Sequence, residues 1–149
     1  MSLFDDLLVG ALLHAAPPTK QILSGLVQTN LTGPDEWGCF PFDPSKYYAG
    51  NQVHVRSIVL CAVLNVSVGG QTCTLELFDK TLGQTVVTIT STSLSPAIVR
   101  SGVIPISTTG AANTIASTEH LYGVRLSRTG GSSSNYVVCK YAALELNFT

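Results

Sequence analysis

The sequence predicts an all-β protein, folded as an antiparallel sandwich or barrel. Six segments with the composition of strands follow one another after residue 50, and runs rich in Gly, Ser and Asn separate them. In "TLELFD" apolar and polar residues alternate, which puts Leu75 and Leu77 on the same face of a strand. In "QTVVTITS" β-branched residues dominate, a composition that is typical of strands.

The first fifty residues have a more irregular, proline-rich composition, which predicts an arm. Five of the seven prolines lie there, at Pro17, Pro18, Pro34, Pro41 and Pro44. We therefore divide the chain into residues 1–50, an N-terminal arm with an aromatic-rich loop, and residues 51–149, a β-sandwich domain.

The arm opens with "SLFDDLLVGALLHAA", which predicts a short helix. Ser2 can cap its N-terminus, and Asp5 three residues later is favourable at the positive end of the helix dipole. Pro17 and Pro18 end the helix. Its apolar faces are wide and include Leu3, Phe4, Leu7 and Leu8.

Two further segments complete the arm. "KQILSGLVQTNL" predicts one strand, and "GPDEWGCFPFDPSKYYAG" predicts a loop because Gly and Pro interrupt it repeatedly. This loop holds a cluster of five aromatic residues: Trp37, Phe40, Phe42, Tyr47 and Tyr48.

The strands after residue 50 can be followed in order. "VHVRSIVLCAVLNVS" and "TCTLELFD" flank Gly69-Gly70 and predict a hairpin, and "DKTLG" is a turn from which "QTVVTITS" returns. "PAIVRSGVIPI" predicts a strand kinked at Pro105. "HLYGVRLSR" and "YVVCKYAALELNF" are the last two strands, separated by the flexible loop "TGGSSSN". Apolar residues on both faces of residues 58–66 predict burial of both faces.

Composition excludes several classes of function. Charged residues make up 11% of the chain and the net charge is −1, so no basic surface for nucleic acid is expected. No apolar stretch is long enough to span a membrane, and Asp5 and Asp6 precede the first apolar run where a signal peptide would carry Lys or Arg. We therefore expect a protein folded in a cytoplasm, with Cys39, Cys61, Cys73 and Cys139 as free thiols. Cys61, Cys73 and Cys139 lie in strand-like runs, so we expect these three to be buried. So few charges favour a surface covered by other subunits.

No constellation of catalytic residues is recognisable. His14, His54 and His120 lie far apart and lack neighbours at metal-ligand spacing. The chain has neither a G-x-S-x-G motif nor a phosphate-binding loop, and Asp35-Glu36 are adjacent rather than opposed. We predict no catalytic residue, no metal site, no cofactor and no enzymatic activity.

The order of motifs after residue 52 resembles a known family. A strand that ends in a Gly turn is followed by "TLELFDKTLGQTVV", "VRSGVIPI", "LYGVRLSRTGG" and "YAALEL". Over residues 53–148 this is similar to jelly-roll β-sandwich modules of bacteriophage virion proteins, such as head decoration (cement), fibre and tail proteins. The resemblance implies a non-enzymatic structural component of the virion, usually a homotrimer. The expected fold is an antiparallel jelly-roll-like β-sandwich with an N-terminal arm that contains a short helix.

Two segments are candidate binding surfaces, and each has alternative interpretations. The aromatic cluster could close one end of the sandwich, anchor a protein interface or stack against a sugar. The segment Leu3 to Leu13 could fold back on its own sandwich or dock on another subunit, with Pro17-Pro18 as a stiff spacer.

The leading functional hypothesis is a homotrimeric decoration or head-fibre protein that binds the major capsid protein, or another virion protein, through residues 1–50. The alternative is a carbohydrate- or receptor-binding module of a phage tail, which would carry exposed aromatic residues at a loop end with Asp or Asn beside them.

Overall fold

The structure, a computed structural model, describes residues 20–46, 48–49 and 53–148. The strands are β1 (Lys20–Ser24), β2 (Val27–Thr29), β3 (Asp35–Phe42), β4 (Tyr48–Ala49), β5 (Val53–Val66), β6 (Thr72–Asp79), β7 (Gln84–Ser91), β8 (Ala97–Arg100), β9 (Ile104–Ser107), β10 (Ile115–Ala116), β11 (His120–Thr129) and β12 (Val137–Phe148). A 3₁₀ helix at Pro44–Lys46 is the only helix in these ranges. The prediction of an all-β protein is confirmed.

The strands form two sheets with jelly-roll connectivity. Sheet I has the strand order β1–β12–β5–β9–β10. In the same sheet β2 also pairs with β12, and β4 and β8 also pair with β5. Sheet II has the strand order β3–β11–β6–β7. If β1 with β2, and β8 with β9, are each taken as one broken strand, each sheet has four principal strands. The chain then changes sheet at every connection between principal strands except β6–β7, which is the arrangement of an eight-stranded jelly roll. The predicted jelly-roll-like sandwich is therefore confirmed.

Alternation of side chains builds the core between the sheets. On β5 the side chains of Ile58, Leu60 and Leu64 are fully buried. On β6 Leu75 and Leu77 point inward, while the alternate residues Thr74 and Glu76 are half-buried. Each strand thus contributes every second residue to one apolar layer, as the period of two requires.

Four local predictions were wrong. "KQILSGLVQTNL" forms two strands, β1 and β2, rather than one. β5 and β6 do not form a hairpin, because the turn at residues 67–71 carries the chain from sheet I to sheet II. "DEWGCFPF" is the strand β3 rather than a loop, paired with β11 from Asp35↔Leu126 to Phe42↔His120. β3 is an edge strand with a bulge, so Pro41 and the positive φ of Gly38 (67°) are tolerated there. The segment 97–107 is two strands, β8 and β9, rather than one.

The sandwich also extends beyond the predicted boundary at residue 50. β1 and β2 pair with β12 in sheet I, and β3 pairs with β11 in sheet II. Residues 20–42 therefore supply an edge strand to each sheet. The predicted helix lies in residues 1–19, outside the described residues, so the arm interpretation of that segment stays a prediction.

The outer faces of the two sheets differ in polarity. On sheet II, Glu36 accepts hydrogen bonds from Lys80 and Arg125, and the Arg125 guanidinium lies 3.3 Å from the centroid of the Phe78 ring. On sheet I, Ile22 and Ile98 are 61% and 64% exposed. Both sit opposite residues that face away from the core, because Ile22 pairs with Ala143 and Ile98 with Val63. Sheet I therefore exposes large apolar side chains on its outer face, beside the ion pair of Arg100 with Glu145.

Candidate functional site

The structure separates the aromatic residues that were predicted to act together. Phe42 is only 1% exposed and its ring packs edge-on against Tyr122, with 6.4 Å between centroids. Phe40 is partly buried against the core and stacks on the same tyrosine at 6.1 Å. Trp37, on the same strand, is 36% exposed. Phe42 therefore belongs to the protein's own core and cannot anchor a partner, whereas Trp37 reaches the surface.

Of the other predicted interface residues, only Tyr48 belongs to the part of the chain that the structure describes. Leu3, Phe4, Leu7, Leu8 and Tyr47 lie outside the described residues. Tyr48 lies in β4, where its backbone pairs with His54 of β5. Docking through these residues therefore stays a prediction.

Trp37 lines a cleft at one end of the sandwich. The loop between β2 and β3 and the loop between β11 and β12 form the walls of this open cleft, which has a volume of about 360 Å³. Eight of the described residues line this space, which we call the loop-end cleft: Gln28, Thr29, Asn30, Leu31, Asp35, Trp37, Ser134 and Tyr136. Two aromatic residues, Trp37 and Tyr136, thus meet an acid and several amide and hydroxyl groups at a loop end.

One buried arginine ties the two loops together. Arg128 is buried, and its Nε donates a hydrogen bond of 3.1 Å to the carbonyl of Asn30 while its Nη1 donates to the carbonyl of Gly130. Its backbone N–H donates to the carbonyl of Leu31 at 2.9 Å. The Asn30 amide closes the connection by donating to the Ser133 carbonyl at 3.2 Å. The walls of the loop-end cleft are therefore joined to each other and to β11.

The loop 130–136, predicted to be flexible, is held by internal hydrogen bonds. Asn135 Oδ1 accepts from the backbone N–H of Ser132 at 2.7 Å and from its hydroxyl at 2.9 Å. The backbone of Tyr136 is held on both sides, since its N–H donates to Ser67 Oγ at 2.9 Å and its carbonyl accepts from Ser67 N–H at 3.0 Å. Tyr136 is thus held in a defined position directly before β12.

The glycines of this loop allow its close approach to the turn at residues 67–71. Gly130 has a φ of 78°, and a Cβ placed there would lie 2.4 Å from the carbonyl oxygen of Gly70. Only glycine fits a position that combines this backbone conformation with so short a contact.

Several polar groups in the cleft have no protein partner. Within the described residues, no hydrogen bond or ion pair involves the Asp35 carboxylate, the Trp37 indole N–H or the Tyr136 hydroxyl, and no ring contact joins the two aromatic side chains. Asp35 is the only charged residue among the eight that line the cleft. These groups are free to bind a ligand that can both donate and accept hydrogen bonds.

Tyr136 was missed by the sequence interpretation. The signal was its position, an aromatic residue directly after the polar run "GGSSSN" and at the start of a strand. Its partner across the cleft is distant in sequence, so only the fold brings the two rings together.

A smaller cleft at the opposite end contains His120. His120 Nδ1 lies 2.7 Å from Oδ2 of the fully buried Asp79, whose Oδ1 accepts from the backbone N–H groups of Thr81 and Leu82 at 2.9 and 3.0 Å. The Oδ1 contacts hold the β6–β7 turn, and the Oδ2 contact ties this turn to the start of β11, so the geometry gives the pair a structural role. Among the described residues, no three His, Cys, Asp or Glu side chains are placed to hold a metal ion. No helix in these ranges is long and apolar enough to cross a membrane.

Comparison with known proteins identifies similar folds only. No protein-family model and no curated protein matches this sequence. Among solved structures, the chain is similar to VP2 in the crystal structure of the infectious bursal disease virus VP2 subviral particle, with a TM-score of 0.50 and 15% identity, over 89% of this chain and 33% of that chain. A structure of the Gx strain of infectious bursal disease virus matches with a TM-score of 0.39 and 15% identity, over 89% of this chain and 32% of that one. The chain spans about a third of the length of the structures it matches.

Proposed function

We propose that this chain is a non-enzymatic structural protein of a virus particle. The observation that supports this proposal is the eight-stranded jelly roll, together with its likeness to VP2 of a subviral particle. Jelly rolls also occur in lectins and cupins, so the fold alone allows other functions. In this proposal the buried Asp79–His120 pair has the structural role of joining the β6–β7 turn to β11, and the protein acts through contacts of its surface.

More specifically, we propose a decoration (cement) or head-fibre protein of a bacteriophage, active as a homotrimer in the virion after assembly in the host cytoplasm. The low charge of the chain and the exposed Ile22 and Ile98 on sheet I support contact with further subunits. Burial of apolar surface stabilises such contacts by about 25 cal/mol per Å². Three identical copies in one trimer would bind a shell more tightly than one copy, because the later contacts are intramolecular.

The docking element in this proposal is the N-terminal segment with its apolar residues Leu3, Phe4, Leu7 and Leu8. Full burial of one leucine contributes about 1.5–3 kcal/mol, so replacement of two should weaken docking severely. We expect Leu7→Ser combined with Leu8→Ser, or deletion of residues 1–18, to abolish or strongly reduce binding. The measurement is co-sedimentation with shells assembled without this protein, with light scattering to determine whether the free protein has three times the monomer mass of 15.7 kDa.

The matched control is Gly10→Ser, which adds a hydroxyl to the same segment without removing an apolar side chain. If the truncated protein unfolds, the segment belongs to its own core and the docking proposal is wrong. If it stays folded and binds at full strength, the docking surface lies elsewhere, for example on the loops at residues 107–118 or 129–135.

A second candidate function is glycan or receptor binding. The observation that favours it is the loop-end cleft, where Trp37 and Tyr136 lie beside Asp35 and Asn30. Exposed aromatic residues at a loop end with Asp or Asn beside them are the combination expected of a carbohydrate- or receptor-binding module.

A further inference from the structure

We propose that the loop-end cleft binds one pyranose residue of a neutral glycan, with Trp37 and Tyr136 as stacking surfaces and Asp35 as the hydrogen-bond acceptor. This inference rests on the second candidate function and adds to it the site and the class of ligand. It is independent of whether the protein docks on a shell through its N-terminal segment.

The size of the cleft suits a small ligand rather than a protein surface. A space of about 360 Å³ lies near the lower end of the range of small-molecule sites, which is roughly 300–1,000 Å³. A stable protein interface would instead need a surface of about 800 Å² on each partner.

The unpaired polar groups favour a hydroxyl-rich ligand over an apolar one. An apolar protein side chain in the cleft would cover the Asp35 carboxylate, the Trp37 N–H and the Tyr136 hydroxyl without replacing their bonds to water, which is unfavourable. A sugar offers hydroxyl groups that donate to the carboxylate and accept from the indole. The C–H face of its ring packs on the aromatic side chains, whose exposed fractions are 36% for Trp37 and 39% for Tyr136.

Charge selects the class of sugar. Among the described residues that line the cleft, Asp35 is the only charged one, and none is a Lys or Arg that could receive an acidic group. The nearby guanidinium of Arg128 is buried and already donates to the carbonyls of Asn30 and Gly130. The carboxylate of a sialic or uronic acid would therefore be repelled by the negative charge of Asp35. A neutral sugar carries no charge, so it would not be repelled.

The cleft is preorganised, which reduces the entropic cost of binding a weakly interacting ligand. Arg128 connects both loops, and the backbone of Tyr136 is held by two hydrogen bonds to Ser67. The ligand does not need to order either wall.

The test is a screen of the full-length protein against an array of neutral and sialylated glycans, followed by titration of the best binder. Trp37 is the only tryptophan of the chain, so intrinsic fluorescence reports directly on the cleft without any mutation. We expect a neutral glycan to bind and to change the emission of Trp37 in a saturable way. Calorimetry should give the same dissociation constant.

Substitutions then assign the residues. We expect Trp37→Ala and Tyr136→Ala each to weaken binding about tenfold, as loss of an aromatic anchor does, and Asp35→Asn to weaken it severalfold. The matched controls are Leu94→Ala, an exposed apolar residue that does not line the cleft, and Glu76→Gln, a carboxylate on sheet II. Both should bind as the unmodified protein does, and circular dichroism should show that every variant is folded.

The possible outcomes separate the two claims. A glycan could bind without changing the emission of Trp37, and the Trp37→Ala and Tyr136→Ala variants could bind it with unchanged affinity. These results would support glycan binding by the protein but overturn this site. Binding of acidic glycans alone would overturn the class of ligand. If no glycan binds at millimolar concentration, both the site and glycan binding as a second candidate function are wrong, while the structural proposal is unaffected.

Discussion

The four cysteine side chains lie in three different environments. Cys39 is exposed on β3, Cys61 is buried on the outer face of sheet I, and Cys73 and Cys139 are buried in the core. Burial raises the pKa of Cys73 to about 12 and that of Cys139 to about 11. Burial beside the Glu145 carboxylate also raises the pKa of Cys61. The three buried thiols are therefore protonated at neutral pH, and all four are free, as the sequence predicted.

These environments predict unequal thiol reactivity. With Ellman's reagent at pH 8, we expect Cys39 alone to react rapidly in the native protein, because thiolates are the reactive species and the other three are buried and neutral. All four thiols should react in denaturant without a reducing agent. Cys39→Ser should remove the fast phase, and any fast-reacting thiol left in that variant would contradict the buried placement of the other three.

At the scale of elements, the loop between β11 and β12 depends on one glycine. Gly130 has a positive φ and lies against the carbonyl of Gly70 in the turn after β5. Through Arg128 and Ser67 this contact region also supports both walls of the loop-end cleft. A change at Gly130 should therefore affect stability and the cleft together.

We expect Gly130→Ala to lower the free energy of unfolding by about 2 kcal/mol or more, because it adds the strain of a left-handed residue to a backbone clash. Gly69→Ala is the matched control, since a Cβ there meets nothing within 4 Å and its φ is not positive. The control should change stability by about 0.5 kcal/mol or less. Urea unfolding of both variants measures the difference, and equal midpoints would show that the loop does not pack as described.

At the scale of the whole molecule, the edge strands come from the region predicted to be an arm. β1 and β2 cover one edge of β12, and β3 covers one edge of β11. Val27 and Phe42 from these strands also belong to the buried core. The described sandwich therefore requires residues 20–42.

Two truncations should behave differently. Deletion of residues 1–18 should preserve the β-sheet circular dichroism and cooperative unfolding, because every described strand remains. Deletion of residues 1–50 should abolish cooperative folding, because it uncovers β12 and β11 and removes Phe42 from the core. A cooperatively folded protein that begins at residue 51 would show that the edge strands are dispensable.

The sequence by itself determined the class of fold and most strands after residue 50. Alternation in "TLELFD", the turn at Asp79 to Gly83 and the apolar run of β5 are local signals, because the period of two is a property of the extended backbone. The same strand-like signals predicted that Cys61, Cys73 and Cys139 are buried, and all three are.

The tertiary structure alone decided which sheet each strand joins, that β3 is a strand, and which side chains form the cleft. Gly38 and Pro41 interrupt the alternation of apolar and polar residues in β3, so its sequence does not resemble that of a strand. The segment nevertheless pairs with β11, because an edge strand tolerates a bulge and a proline. Trp37 and Tyr136 lie near opposite ends of the sequence, and no local pattern relates them. They meet because hydrogen bonds between distant strands, and one buried arginine, bring their loops to the same end of the sandwich.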